Sequence, residues 1–128
     1  MGTAPIRLLH VEDDPDILEI AQLALEMAGG FDVLQCDNGA DALARVHGFA
    51  PDVMIFDMMM PEMSGVQLLE RMRADPVTAH VPVIFMTARA QAQERRDLVE
   101  RGAVDVIVKP FDPVALGDQI RGILARLA

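Results

Sequence analysis

The sequence predicts a three-layer α/β sandwich built on a parallel five-stranded sheet. Two features of its pattern point there. Five short apolar runs alternate with five amphipathic stretches of helical length, and strands joined by helical crossovers run parallel. The third and fourth runs, "PDVMIFD" and "VPVIFMTA", are also almost continuously apolar, as strands covered on both faces are. With 128 residues, 52% hydrophobic and 24% charged, the chain is long enough for one folded unit with a sizeable core, and its composition argues against disorder.

Each element has its own signal. "IRLLHV" (residues 6–11) reads as the first strand. The helix after it, within 14–30, places Ile17, Ile20, Ala21, Ala24, Leu25 and Ala28 at three- and four-residue steps on one face. Asp14 or Asp16 suits its cap, Pro15 its first turn, and Gly29-Gly30 its end. "FDVLQC" is the second strand and "NGADALARVHGF" a short second helix. "PDVMIFD" is the third strand. "SGVQLLERMRAD" is a helix with Val66, Leu69 and Met72 on one side. "VPVIFMTA" is the fourth strand, and "RAQAQERRDLVERGA" a helix with a charged outer face. "VDVIVKPF" is the fifth strand with its exit, and the spacing predicts a last helix over 112–128.

Composition narrows the function. A net charge of −9 argues against the phosphate contacts of nucleic-acid binding. It suits a divalent cation or a basic partner patch. The single cysteine, Cys36, excludes an intramolecular disulfide and reads as a small buried hydrophobe. The first apolar run is too short for a signal peptide, and no segment approaches the ~20 apolar residues of a membrane span. The expectation is a cytoplasmic protein without membrane contact, a monomer or weak dimer.

The chemistry lies at strand ends, where open α/β sheets bind ligands. The first strand is followed by Glu12, Asp13 and Asp14. The third ends in Asp57, the fourth in Thr87, the fifth in Lys109. Clustered carboxylates repel, and a hard cation relieves them. Mg²⁺ fits, because it takes oxygen ligands and combines one or two carboxylates with phosphate oxygens. Zinc is disfavoured without a Cys/His cluster. His10 lies within a strand and reads as packing or bonding locally; His47 and His80 read as helix-end and loop residues. With Mg²⁺ held, an aspartate oxygen can attack a phosphoryl group and carry it as an acyl phosphate. Lys109 adds positive charge, and Thr87 a hydrogen bond. Each residue alone has a plainer reading: an acidic helix start, a capping hydroxyl, a solvated lysine, a turn aspartate. The methionines at 58, 59 and 60 read as loop and core packing. Only the conjunction in register with strand ends favours the chemistry.

"LLHVEDDPDIL", "PDVMIFDMMMPEMSG", "VPVIFMTA" and "GAVDVIVKPF" together resemble the receiver domain of bacterial two-component response regulators, over essentially the whole chain. The resemblance implies a flavodoxin-like (βα)5 fold with strand order 2-1-3-4-5 and a single receiver domain over 1–128. It makes Asp57 the phospho-acceptor, and Glu12 and Asp13 the acidic pair for Mg²⁺, Asp13 directly and Glu12 through water. The Met59 backbone carbonyl is a further ligand. Thr87 is the switch hydroxyl that moves toward the phosphoryl group, Lys109 the lysine that pairs with that group, and the Lys109–Pro110 bond is cis. One position departs: Val106 stands where many receivers carry an aromatic, so the usual aromatic switch cannot operate in its usual form. Met59 and Arg89, two beyond the acceptor and the threonine, occupy positions that tune hydrolysis in the family. An apolar Met59 suits a moderately long-lived phosphoryl state.

The resulting expectation is a phospho-accepting receiver rather than a turnover enzyme. A sensor histidine kinase or histidine phosphotransfer protein donates to Asp57, docking at the first helix. The face made by helix four, strand five and helix five then engages a downstream protein, with no direct nucleic-acid contact. The chain reads either as a stand-alone receiver or as the receiver of a longer DNA-binding regulator. A pseudo-receiver that binds without phosphorylation is an alternative. A phosphohydrolase of the haloacid dehalogenase type is a rival, weakened because Met59 stands where those enzymes usually place a second acid.

Overall fold

The computed structural model describes residues 4–88 and 91–127. Arg89 lies outside the described residues. Five strands, β1 (Ile6–Val11), β2 (Phe31–Cys36), β3 (Val53–Asp57), β4 (Val83–Thr87) and β5 (Asp105–Val108), alternate with five helices, α1 (Pro15–Ala28), α2 (Gly39–Phe49), α3 (Gly65–Ala74), α4 (Ala92–Glu100) and α5 (Leu116–Leu127). The sheet is parallel, in the order β2-β1-β3-β4-β5. The flavodoxin-like three-layer sandwich expected from the sequence is the fold observed.

Strict alternation along each strand builds two cores. Leu9, Val11, Met54, Phe56, Val83, Phe85 and Val106 face one side and pack with Ala42 and Val46 of α2, Leu68, Leu69 and Met72 of α3, and Leu98 of α4. Leu8, Val53, Ile55, Ile84, Met86 and Ile107 face the other and pack with Ala21, Ala24 and Leu25 of α1 and Leu116, Ile120 and Ile123 of α5. Phe56 and Phe85 meet edge to face with ring centroids 6.4 Å apart, an arrangement that adds about 1 kcal/mol beyond burial. Cys36 is buried, and burial, then Asp41, pushes its thiol up to about 11.

Helix starts follow side-chain caps. Asp14 accepts from the Asp16 N–H at 2.9 Å, with Pro15 in the first turn of α1. Asn38 caps α2 through the Asp41 N–H at 2.7 Å. Ser64 and Gln67 form a reciprocal capping box on α3. Three sequence expectations need correction. Ile20 is 46% exposed, because it stands at the edge of the α1 stripe. Ala28 is exposed at the end of α1, against Gly117 of α5. And α5 starts at Leu116, not near residue 112. Asp112 accepts from the Val114 N–H at 3.0 Å and its carbonyl from the Ala115 N–H at 3.1 Å, so this stretch is a side-chain-stabilised turn before the helix.

Candidate functional site

Strand order reverses between β1 and β3, since the chain goes out to β2 before returning. The carboxyl ends there frame a crevice. β1 delivers Glu12, whose N–H bonds the Cys36 carbonyl at 3.1 Å, and then the exposed Asp13. β3 delivers Asp57, 7% exposed. Ligand oxygens of Glu12, Asp13 and Asp57 all lie within 4.8 Å of one another.

β5 runs on to Lys109, held in place by its backbone N–H donating to the Thr87 carbonyl at 2.8 Å. The Lys109 ammonium lies 2.6 Å from Glu12 Oε1 and donates to Asp57 Oδ1 at 2.9 Å. Thr87 is 5% exposed. Asp57, Met58, Met59, Thr87, Ala88, Glu94 and Lys109 line a cavity of about 320 Å³. The Lys109–Pro110 bond is cis, as expected.

The loop after β3 is held tightly against the acceptor. The Gly65 N–H donates to the Met58 carbonyl at 3.0 Å. A Cβ on Gly65 would sit 2.2 Å from the Asp57 carbonyl oxygen and 2.9 Å from the Phe85 ring. Only a glycine lets α3 begin this close to the strand end. Of the three methionines, Met60 packs in the core, but the Met59 side chain is 81% exposed. It stands at the cavity mouth rather than packing, because the chain has already turned out of the sheet.

Electrostatics follow from two carboxylates, Glu12 and Asp57, sharing one ammonium, with Asp13 close by. Burial pushes the Glu12 carboxyl up to about 7, with Lys109 pulling it down and Asp57 pushing it up. Burial lowers the Lys109 pKa, but Glu12 and Asp57 outweigh it and raise it above its ordinary value. His10, 1% exposed, has its Nδ1 3.3 Å from the Gln35 amide. Burial and then Lys109 lower it to about 4, so it is neutral at pH 7 and bonds locally, outside the acidic group.

The donor set is all oxygen, partly desolvated and in excess of its one cation, which suits a hard divalent ion. Of the residues the sequence singles out, Glu12, Asp13, Asp57, Met59, Thr87 and Lys109 come together. Val106 does not. It is buried in the core beneath α3 and α4 with Phe85 and Leu98, so the place of an aromatic switch is filled by a small aliphatic side chain. Glu94 and Gly65 are site residues that sequence reasoning missed. The first reads as part of a charged helix face. For the second, the "SG" before an apolar run was a legible signal.

A parallel sheet in this order, with acids at the ends of β1 and β3, a hydroxyl at the end of β4 and a lysine just after β5, defines a receiver-type signalling fold. The family description "Response regulator receiver domain" matches residues 8–121, and the chain belongs to that family, which serves two-component signal transduction. It is 36% identical over 120 residues to the "DNA-binding dual master transcriptional regulator RpaA" of Synechocystis, covering 94% of this chain and 49% of that protein. It is 35% identical over 119 residues to the "Phosphate regulon transcriptional regulatory protein PhoB" of Pseudomonas aeruginosa, covering 93% and 52%. The chain thus spans about half the length of these curated relatives. Among solved structures, the chemotaxis response regulator CheY4 of Vibrio cholerae superposes with a TM-score of 0.85 at 26% identity, over 93% of this chain and 98% of that one. A response regulator from Desulfuromonas acetoxidans gives 0.84 at 32%, over 95% and 98%.

Proposed function

We propose that residues 1–128 form one receiver unit in which Asp57 accepts a phosphoryl group from a phosphohistidine. The observation that carries this is the Lys109 ammonium held between Glu12 and Asp57, beside Thr87, in one cavity. An Asp57 oxygen attacks phosphorus in line. The new O–P bond forms as the N–P bond breaks, and the imidazole keeps the electron pair. Lys109 pairs with the transferred oxygens, and the Thr87 hydroxyl donates to them. Glu12, Asp13, Asp57 and the Met59 carbonyl would hold Mg²⁺. When bound, this ion supplies positive charge that offsets the phosphoryl group's negative charge.

The new dianion draws Thr87 inward and biases α4, β5 and α5 between two arrangements. That face is already tied together: Asp105 accepts from Arg95 at 2.7 Å and Arg126 at 2.5 Å. It is the proposed surface for a downstream protein. The histidine kinase or phosphotransfer protein docks at α1, where Ile17 and Ile20 line an apolar cavity of about 320 Å³ with Phe111 and Pro113. The unit works in the cytoplasm as a monomer or weak dimer. Met59 offers no acid or amide to orient water, so hydrolysis is slow and the protein is a switch rather than a turnover enzyme.

The lengths and names of the relatives favour a second reading of context: this receiver belongs to a longer DNA-binding regulator. The expectation of no nucleic-acid contact is accordingly confined to the receiver residues. Incubation with acetyl phosphate, with and without Mg²⁺, and intact-mass readout tests the core proposal. The expected result is one phosphoryl adduct that needs Mg²⁺ and is absent in Asp57→Asn. An adduct that persists in that variant, or that forms equally without the ion, contradicts it. A purified phosphoprotein that decays within seconds contradicts the slow-hydrolysis part alone.

A further inference from the structure

The cavity beside Asp57 contains a second carboxylate, from a helix. Glu94 sits in the first turn of α4 and lines this cavity together with the strand-end residues. Arg95, Arg96 and Asp97 on that helix have partners, Arg95 with Asp105 and the other two with Gln93, and Glu100 at its far end is exposed. Among the described residues, Glu94 makes no hydrogen bond or ion pair. Nor does it cap its own helix, for Gln91 stands at the N-cap with no side-chain cap bond. It is half-buried where its neighbours Gln93 and Arg95 are exposed. Around it stand Asp57 and Lys109 in this cavity, and Asp97 and Arg101 in the adjoining one between α3 and α4. The ammonium of Lys109 is already engaged by two carboxylates, which leaves Glu94 without a side-chain counter-ion and facing only the positive end of its own helix.

Asp57 and Glu94 line the same cavity, so a negative group arriving on Asp57 feels the Glu94 charge, most strongly at low salt where the Debye length is long. α4 is also weakly held. Leu98 is its one buried residue among those described, and segments with so few buried contacts open most readily.

We propose that Glu94 is the charge through which α4 senses Asp57: its carboxylate opposes negative charge in the cavity, slows the arrival of anionic phosphodonors, and drives the first turn of α4 outward once Asp57 carries a dianion. This rests on the phosphorylation of Asp57 proposed above. It assigns the coupling to repulsion from α4, in addition to attraction through Thr87. In a chain with Val106 in place of an aromatic switch, such a second route gives α4 its own reason to move.

The test compares wild type with Glu94→Gln and Glu100→Gln. The second removes the same charge from the last residue of α4, which does not line the cavity. Two readouts are taken in Mg²⁺: the initial rate of adduct formation from acetyl phosphate, and the affinity for beryllofluoride, a tetrahedral anionic mimic of the phosphoryl group. Glu94→Gln is expected to raise both by roughly 3- to 10-fold at low salt, with the gap closing at high salt, while Glu100→Gln matches wild type. Equal behaviour of the two variants, or a slower and weaker Glu94→Gln, overturns the proposal while a wild-type adduct leaves Asp57 phosphorylation standing. A wild type that takes no adduct overturns both.

Discussion

Glu12 is 1% exposed, and its charged partner of opposite sign is one lysine shared with Asp57. Burial raises its pKa from 4.5 to about 7, so the folded state holds a proton there that the unfolded state has released. That contributes stability which is fully present below about pH 4.5 and is lost as pH rises through about 7. Glu12→Gln is therefore expected to stabilise the metal-free protein at pH 8 by about 1–2 kcal/mol, and to weaken Mg²⁺ binding. Urea denaturation at pH 8 and a Mg²⁺ titration check the two halves; a Gln variant that is less stable at pH 8 contradicts the burial argument. At this scale most of the site was legible. Glu12, Asp13, Asp57, Thr87 and Lys109 each follow an apolar run, and the strand-end rule brings them together without knowledge of any contact. Glu94 was not legible, because a carboxylate in a run such as "QERRD" looks like any solvated face until the helix is placed over the cavity.

Elements are held by a few specific contacts, and these decide how firmly each is fixed. α3 starts where Gly65 touches the Asp57 carbonyl. Gly65→Ala is expected to cost about 1–3 kcal/mol through overpacking against backbone that cannot yield, and to slow phosphorylation by shifting Asp57. A denaturation midpoint equal to wild type contradicts this. On the other side, Asp105 ties β5 to α4 and α5. Burial opposes its charge, but hydrogen bonds from Arg95, the Val106 N–H and Arg126 outweigh it and hold the carboxyl below its ordinary range. The sign is opposite to that of Glu12: the contribution is present above the unfolded value near 3.8 and is lost as pH falls through the folded one. The arginines are about half exposed or more, so Asp105→Asn is expected to cost only about 1 kcal/mol at pH 7. The cost should shrink as pH falls below the unfolded value near 3.8; a loss that stays constant as pH is lowered well past that value contradicts the assignment. The existence and type of every element were legible from periodicity. Boundaries were less so at α5, where Asp112 bonds its own following backbone, and the stripe on α1 was over-read at Ile20, which lies at its edge and turns to an open apolar cavity.

For the whole molecule, the crossover pattern and the near-continuous apolar strands were enough to reach the parallel sheet, and alternation along the strands sorts the helices into an α1–α5 layer and an α2–α3–α4 layer. Strand order was not in the periodicity; it came with the resemblance, and the reversal between β1 and β3 then explains why one rim collects the chemistry. Among the described residues no helix is long and apolar enough to cross a membrane. The central claim is that this rim makes Asp57, and no other side chain, the carrier of a phosphoryl group. Reductive trapping tests it most directly: the protein is incubated with Mg²⁺ and a phosphodonor, treated with borohydride, and mapped by peptide mass spectrometry. Conversion of residue 57 alone from aspartate to homoserine is the predicted result. Recovery of an unmodified Asp57 peptide, with the reduced residue at Asp13 or elsewhere, would contradict the account.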